Sequence, residues 1–337
     1  MVTNNHNTHS HITDIRIYPI KSCRGISLPS ATLSTSGLSY DRRWMFVDSQ
    51  HKFLTIRQKS EMTLINTAMD TTTDELVITM GGSNTDNNHD HDEESKRVRV
   101  PLEPTAAWLA ANTERVTVKI WGTEASAYAY TCARMQRIFR GFFGVDAVRL
   151  VMKDPAVPRV CGGNGNRAVL GRVATVAFPD VLPVLMVSES SLAELNSRLL
   201  LKNSHKITYE RFRPNIVIAG GDPWTEDQWK AVRINGASDS WLSALSGGYL
   251  GNSEAIDIDV VARCARCQVP NVDPDTAVKD KHEPWDTLMK YRRIDAGIKF
   301  KPCFGMLGCP RNEGKVELGM RFDVLTTTNA HKYLTGF

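Results

Sequence analysis

The sequence predicts a mainly β, α+β fold, with barrel- or sandwich-like β structure in both halves and helices at the margins. Three observations carry that expectation. Short runs of alternating or β-branched residues recur at close spacing between residues 12 and 121, a pattern of barrels and sandwiches rather than of a doubly wound sheet. Similar runs return between residues 185 and 325, and helical periodicity is confined to a few segments between them. At 337 residues the chain is long enough for two ordinary domains, or for one large β-rich unit with an elaboration.

The first strand spans residues 12–20, where Ile15 and Ile17 alternate with Asp14 and Arg16. It ends in a basic turn, Pro19-Ile-Lys-Ser-Cys-Arg-Gly25. Residues 44–47 and 52–56, around Asp48-Ser-Gln-His51, read as a β-hairpin, and further strands are expected at 62–68, 75–80, 97–102 and 115–121. Residues 81–95 have almost no apolar side chains and read as a mobile surface loop, a solvated hairpin insertion in which His89 and His91 stand either side of Asp90. From 132 to 143, Met135, Ile138, Phe139 and Phe142 follow helical spacing with Arg134, Arg137 and Arg140 between them, as in an amphipathic helix packed on a sheet.

Residues 155–171 are rich in Gly, Pro, Asn and Arg and mark a loop or domain joint. Gly162-Gly-Asn-Gly165 within them lacks the Gly-Lys-Ser/Thr of a nucleotide-binding loop. A short strand at 185–187 leads into a helix at 188–200, with Leu192, Leu195 and Leu199 on one face. Arg211-Phe-Arg-Pro-Asn215 precedes an apolar strand at 216–219 and a Gly220-Gly-Asp222 turn, and Thr225-Glu-Asp-Gln228 fits a capping box. In residues 255–261, Ile256, Ile258 and Val260 alternate with Asp257 and Asp259, delivering Arg263-Cys-Ala-Arg-Cys267. A helix carrying Trp285, Leu288, Met289 and Arg292 follows, and strand-like residues 315–325 close the chain.

Composition excludes some functions. Hydrophobic content of 42% and charged content of 23% are those of a soluble globular protein, and a net charge of +4 is too small to argue for nucleic acid. No window approaches the roughly 18 apolar residues of a membrane span. Residues 1–11 read as a polar, disordered tail without the apolar core of a secretory signal or the arginines of a mitochondrial presequence, so the expected location is cytoplasmic. Seven cysteines at irregular spacing argue against a disulfide framework and for reduced thiols, metal ligation or catalysis.

The chemistry concentrates at Cys264-Ala-Arg-Cys267. A thiol among guanidinium groups ionises readily, and a thiolate is the soft ligand that transition metals prefer. Structural zinc would need a second pair, for which Cys303 and Cys309 are available; a thioredoxin-type pair would need a helix N-terminus, where this sequence has an Asp-Pro turn; buried cysteines without a role are the third reading. Basic turns at Lys21-Ser22, Asp41-Arg-Arg-Trp44 and Arg213-Pro-Asn215 each place donors suited to a phosphate or an anionic pterin.

Taken together, Tyr18-Pro-Ile-Lys-Ser-Cys-Arg-Gly25, Asp41-Arg-Arg-Trp44, Phe212-Arg-Pro-Asn-Ile216 and Cys267 followed by Val272-Asp-Pro-Asp-Thr276 resemble the signatures of the MOSC superfamily. Their order and spacing, from about residue 12 to the C-terminus, resemble the mitochondrial amidoxime-reducing component family. The resemblance implies a MOSC N-terminal β-barrel domain over 12–150 and a barrel-like MOSC domain with peripheral helices over 151–337. A molybdenum cofactor (Mo-molybdopterin) would sit in a basic cleft, with Cys267 as the protein ligand of the metal. Lys21, Ser22, Arg42, Arg213, Asn215, Ala265 and Arg266 would bind the cofactor, with nearby arginines holding the Cys267 thiolate, and Asp273 would be a proton-handling catalytic candidate.

The implied activity is reduction of N-hydroxylated compounds (amidoximes, hydroxylamines and N-hydroxylated bases) to amine and water with two electrons and two protons, and nitrite is a further implied substrate. No cysteine cluster of the plant-type iron–sulfur kind follows, so electrons would come from a separate protein, by the resemblance a b5-type cytochrome with its flavin reductase. Three features depart from the family. Ala277 stands where Gly is usual after Asp-Pro-Asp-Thr, which should shift the turn if positive φ is needed there. Leu307 lies near a position where some relatives carry tyrosine. The anchoring N-terminal helix is missing, which leaves mitochondrial association as the alternative location. Two other functions stay open: a molybdenum cofactor sulfur carrier, and a zinc-stabilised binding module built on Cys264, Cys267, Cys303 and Cys309.

Overall fold

The structure is a computed structural model that describes residues 10–81, 96–236 and 255–335. His89, His91 and nearly all of the expected tail and 81–95 loop lie outside the described residues. The first half runs β1 (His11–Ile17), β2 (Ile26–Leu28), β3 (Ser30–Ser34), β4 (Gly37–Leu38), β5 (Trp44–Val47), β6 (Asn66–Asp70), β7 (Glu75–Thr79), β8 (Arg97–Pro101), α1 (Ala106–Asn112), β9 (Thr113–Ile120), β10 (Thr123–Tyr130), α2 (Ala133–Phe143) and β11 (Arg149–Lys153). The second half follows with β12 (Arg159–Val160), α3 (Arg167–Leu170), β13 (Thr175–Val176), β14 (Val184–Ser188), α4 (Glu189–Leu200), β15 (Ile216–Ala219), β16 (Trp229–Ile234), β17 (Ile256–Ala265), α5 (Trp285–Tyr291), β18 (Cys303–Pro310), β19 (Gly314–Glu317) and β20 (Phe322–Thr327). The architecture is mainly β, as expected.

An eight-stranded sheet in the order β2-β1-β15-β14-β18-β17-β16-β20 dominates. Its strands are antiparallel except β14 and β15, which are parallel because α4 crosses between them. The sheet curls until its two ends meet: the Ile12 amide donates to Met320 (3.0 Å), that of Gly319 to Ile12 (2.8 Å) and that of Phe322 to Ser10 (2.8 Å). One face buries Ile12, Ile15, Ile17, Ile218, Val232 and Ile258; the other packs Leu195, Leu199, Phe212, Leu288 and Phe304 beneath α4 and α5. The first strand of the chain therefore belongs to the sheet of the second half. β3 and β4 join β19 of the second half in a three-stranded sheet, and β5 to β11 form two more, β5-β11-β10-β9 and β6-β7-β8, around Trp44, Phe46, Phe139 and Ile78.

β17 is the strand that carries the Cys-Ala-Arg-Cys segment, and its alternation changes phase on the way. Ile256, Ile258 and Val260 face one core; register shifts at Val260/Ala262 and Arg263/Ala265 against β18 then turn Ala262 to the other and aim the strand end outward. Bulges of this kind re-aim side chains at sheet rims. β18 is buried at every position, and Gly305 sits in it at φ +77°, where a Cβ would come within 2.8 Å of the Met186 carbonyl oxygen.

Several expectations need correction. Residues 52–56 form no strand; they approach β5 only through the Val47–Phe53 bridge, and the ladder partner of β5 is β11. Residues 62–64 belong to a short 3-10 helix, Ser60–Leu64, and the strand begins at Asn66. A short 3-10 helix does start at Thr225 (Thr225–Gln228), but the Thr225 hydroxyl donates to the Asp222 carbonyl instead of capping it, and Trp224 precedes it in the left-handed region at φ 68°. Asn164 of the Gly-rich stretch, which already lacks the pattern of a nucleotide-binding loop, is a clamp: it donates to the Val261 and Lys332 carbonyls and accepts from the Leu334 amide, tying the C-terminal segment to β17. Residues 315–325 split into β19 and β20, which pair in different sheets.

Cys303 and Cys309 lie buried in β18, and burial pushes both thiols up to about 12. Among the described residues no three His, Cys, Asp or Glu side chains gather as a metal site, which removes the geometric basis of the four-cysteine zinc reading.

Glu226 is fully buried beside Asp227, and burial pushes its carboxyl up from 4.5 to about 7. Below pH 4.5 the group is protonated folded and unfolded alike, so it costs nothing. As pH rises toward 7 only the unfolded chain ionises freely, and stability falls until both states are charged. Glu226→Gln should therefore leave the urea midpoint near pH 4.5 unchanged and stabilise the protein at pH 8 by on the order of 3 kcal/mol; equal shifts at the two pH values would refute this.

Candidate functional site

The bulged end of β17, the turn after β1 and the loops before β14 and β15 converge on one cleft enclosing about 180 Å³. Lys21, Ser22, Arg42, Arg213, Asn215, Ala265, Arg266 and Cys267 all line it, so the side chains singled out from four distant segments come together. Asp273 does not. It sits in the turn beyond Cys267, accepts from the amides of Asp275 (2.9 Å) and Thr276 (3.0 Å), and pairs with Arg211 at 2.7 Å. Burial opposes its ionisation, but those amides and Arg211 hold the carboxyl below its ordinary range. It orders the turn instead of facing the cleft.

Three lining residues are strained. Ser22 (φ 71°), Arg42 (φ 47°) and Arg213 (φ 58°) occupy the left-handed region that side chains other than Gly, Asn and Asp avoid. Strain of this kind persists where the surroundings over-determine it, and it clusters at ligand sites. Here the surroundings are the main sheet: the Arg42 amide donates to Tyr18 (2.8 Å) and the Asn215 amide to Leu185 (2.8 Å). The Asn215 carboxamide accepts from the Leu185 amide (3.1 Å) and donates to the Arg16 carbonyl (3.2 Å). Asn215 thus lines the cleft while its polar atoms join β14 to β1.

The cleft is strongly cationic. The guanidinium groups of Arg42 and Arg213 lie over the Tyr18 ring at 4.5 and 4.1 Å, and Arg42 donates to the Arg213 carbonyl at 2.9 Å. Burial lowers Arg213 to about 10, and its Nη2 is buried with no hydrogen-bond partner, as is Nε of Arg266. Burial pushes the Tyr18 hydroxyl up to about 12, so the ring beneath these cations is neutral. Lys21 is buried; burial lowers its ammonium, which donates to the Phe178 carbonyl at 2.8 Å and pairs with Asp180. The Asp180 side chain is about half exposed (49%), so lost hydration opposes its carboxylate only in part, and Lys21 and the Trp121 indole hold it well below its usual range. Arg42 pairs with Asp41; no carboxylate pairs with Arg213 or Arg266 among the described residues. Buried donors without partners next to unpaired guanidiniums fit a phosphate-bearing anionic ligand.

The two cysteines have different surroundings. Arg266 donates to Cys264 Sγ at 2.9 Å and also to the Phe212 carbonyl, while burial raises the Cys264 thiol. Arg263 turns away to Asp295 and the His331 carbonyl. The flanking arginines therefore hold Cys264 and a distant pair, and the expectation that they hold the Cys267 thiolate is corrected. Cys267 follows the end of β17, partly exposed on the cleft wall. Leu182, Leu185 and Leu307 supply an apolar wall. Arg57 and Asp180, which also line it, carry no motif in the sequence.

Residues 9–145 match the MOSC N-terminal beta barrel domain and residues 174–323 match the MOSC domain. This is a MOSC-domain protein. Among curated proteins, the MOSC chain is 28% identical to mitochondrial amidoxime-reducing component 1 of Mus musculus, covering 91% of this chain and 80% of that protein. It is 27% identical to mitochondrial amidoxime reducing component 2 of Bos taurus, over 91% and 81%. Against the molybdenum cofactor sulfurase of Arabidopsis thaliana it is 29% identical over 86% of this chain, which spans only 32% of that longer protein. No helix among the described residues is long and apolar enough to cross a membrane.

Ala277 does occupy the conformation for which glycine is suited, at φ 59°, and the turn keeps its place, with the Ala277 amide donating to the Asp273 carbonyl at 2.9 Å. The turn is strained rather than shifted. Ala277→Gly should therefore stabilise the protein by about 1 kcal/mol, read as a higher urea midpoint at unchanged slope, and a lower midpoint would contradict the strain.

Proposed function

We propose that this MOSC protein is a molybdenum-cofactor-dependent reductase of N-hydroxylated compounds. The observation that supports it most is the convergence of Lys21, Ser22, Arg42, Arg213 and Arg266 on one cleft with an accessible Cys267 on its wall. The donor set suits the cofactor: a phosphorylated, anionic pterin meets cations lacking carboxylate partners, and a soft metal meets a thiol. The similarity to amidoxime-reducing components over four-fifths of their length supports the substrate class.

In this reading Arg42 and Arg213, stacked on Tyr18, bind the phosphate, and Ser22 and Lys21 hold the pterin from the first half. Ala265 and Arg266 line it beside the ligand, and Asn215 holds β14 and β1 at the spacing the site needs. Cys267 supplies the thiolate ligand. When bound, the cofactor supplies the two-electron couple for reduction of an N–OH group. The leucine wall keeps bulk water from the substrate. Asp273 acts through the turn it orders, a positioning role. Electrons would come from a separate b5-type cytochrome and its flavin reductase. The proposed location is cytoplasmic, with mitochondrial association the alternative that the relatives' names raise.

The test is expression in a host that makes the cofactor, followed by metal and pterin analysis and reduction of benzamidoxime with a chemical electron donor. About one molybdenum per chain, a pterin and amidine formation are expected, and Cys267→Ala should lose turnover to background while keeping the wild-type melting temperature. A fully active Cys267→Ala variant would sink the assignment. Persulfide on Cys267 without amidine formation would favour the sulfur-carrier reading, to which the similarity to the sulfurase points.

A further inference from the structure

The mouth of the cleft carries a cation that the cofactor reading does not use. Arg57 lines the cleft, is exposed, and lies with its guanidinium 4.2 Å from the centre of the Trp121 ring. That is attractive packing of a cation on the electron-rich face of an indole. Among the described residues it makes no hydrogen bond and no close ion pair, although Asp180, which is already paired with Lys21 and the Trp121 indole, lies near enough for Arg57 to favour its ionised form. The other lining cations are deeper: Lys21 and Arg266 are buried, and Arg42 and Arg213 lie over Tyr18.

The shelf beneath Arg57 is built at a cost. Trp121 and Gly122 are the two residues between β9 and β10, at φ 50° and 85°. A two-residue hairpin turn with both φ positive prefers Asn or Asp before Gly, and a bulky aromatic residue there is strained. The indole is nevertheless fixed from two sides: its N–H donates to Asp180 at 2.9 Å, and Phe53 meets it edge-on with centroids 5.1 Å apart. Asp180 is in turn paired with the buried Lys21. The first half of the chain thus reaches across to the second to hold one flat surface under one exposed guanidinium. An ordinary solvated arginine needs no such support.

We propose that Arg57 on its Trp121 shelf is a specificity-determining residue that selects N-hydroxylated substrates bearing a carboxylate. Such a substrate enters with its N–OH group toward Cys267 and leaves its anionic end at the mouth, where a guanidinium can bind a carboxylate with two parallel hydrogen bonds. The inference rests on the reductase reading above. The same chemistry would recognise a phosphate of the cofactor, so cofactor content is measured alongside.

The test uses the molybdenum-loaded protein with benzamidoxime, 4-carboxybenzamidoxime and the non-reducible 4-carboxybenzamidine. Arg57→Gln should raise the KM for 4-carboxybenzamidoxime and the Kd for 4-carboxybenzamidine about tenfold, the size of one charge-assisted contact at an exposed site. The KM for benzamidoxime and the molybdenum content should stay unchanged. Trp121→Asn, which puts a favoured residue in the turn, should weaken binding of the carboxylated ligands in the same direction, and Arg57→Lys should restore part of it. Equal KM changes for the neutral and carboxylated substrates, or unchanged 4-carboxybenzamidine binding, would overturn the proposal. Loss of molybdenum in Arg57→Gln would overturn it in favour of a cofactor contact. A wild-type enzyme inactive on both substrates would defeat the reductase reading, whereas calorimetric binding of 4-carboxybenzamidine tests the Arg57 contact independently of turnover.

Discussion

The site depends on positive charge held out of water without enough carboxylate to answer it. Lys21 has Asp180 and Arg42 has Asp41, but no carboxylate pairs with Arg213 or Arg266 among the described residues. Taking a guanidinium from water is expensive, and the protein offsets only part of the cost, with the rings of Tyr18 and Phe212 and with backbone carbonyls. Donors left over, Nη2 of Arg213 and Nε of Arg266, mark what the protein does not satisfy by itself. An anion in the cleft would complete them, and this is why the chemistry points to a phosphorylated cofactor before any substrate is considered.

Backbone strain is the second contribution to the same arrangement. Ser22, Arg42 and Arg213 each accept a conformation that costs on the order of 1–2 kcal/mol. Ser22 lies between β1 and β2 and Arg213 shortly before β15, all strands of the main sheet, and the Arg42 amide is tied to the Tyr18 carbonyl just beyond β1. Joining β1 to β15 brings the Lys21-Ser22 turn beside the Arg213 loop, although nearly two hundred residues separate them in the chain. The curled eight-stranded sheet is the part of the fold that makes a site out of separate basic turns. The outlying Trp121 and Ala277 follow the same logic at the cleft mouth and in the turn after Cys267.

The cysteines show how environment divides identical side chains. Cys303 and Cys309 are buried in an apolar strand that disfavours their thiolates, whereas Cys264 and Cys267 are both partly exposed and both line the cleft, Cys264 beside Arg266 and Cys267 two residues beyond the end of β17. Spacing alone makes Cys264 and Cys267 look alike. Their partners separate them: Arg266 donates to Cys264 Sγ at the end of β17, and Cys267 lies in the loop beyond it.

What the sequence by itself determined was local: the alternation of β1 and β17, the amphipathic helix with Met135 and Phe139 inward, and the basic turns whose residue types already state an anionic ligand. Strands without alternation were not legible. β18 is buried on both faces and shows no period-2 pattern, and β10 buries only alanines at its alternate positions, too weak an apolar signal to mark a strand. The Thr225 capping box failed because Trp224 enters the turn from the left-handed region, and Asn164 became a clamp because the C-terminal segment lies over it. Tertiary structure alone decided that Asp273 faces Arg211 rather than the cleft, and that Arg57, Trp121 and Asp180 meet at its mouth. Side-chain direction at a turn, and contact between segments far apart in the chain, are set by how the sheets pack, and a linear pattern of residue types does not encode that.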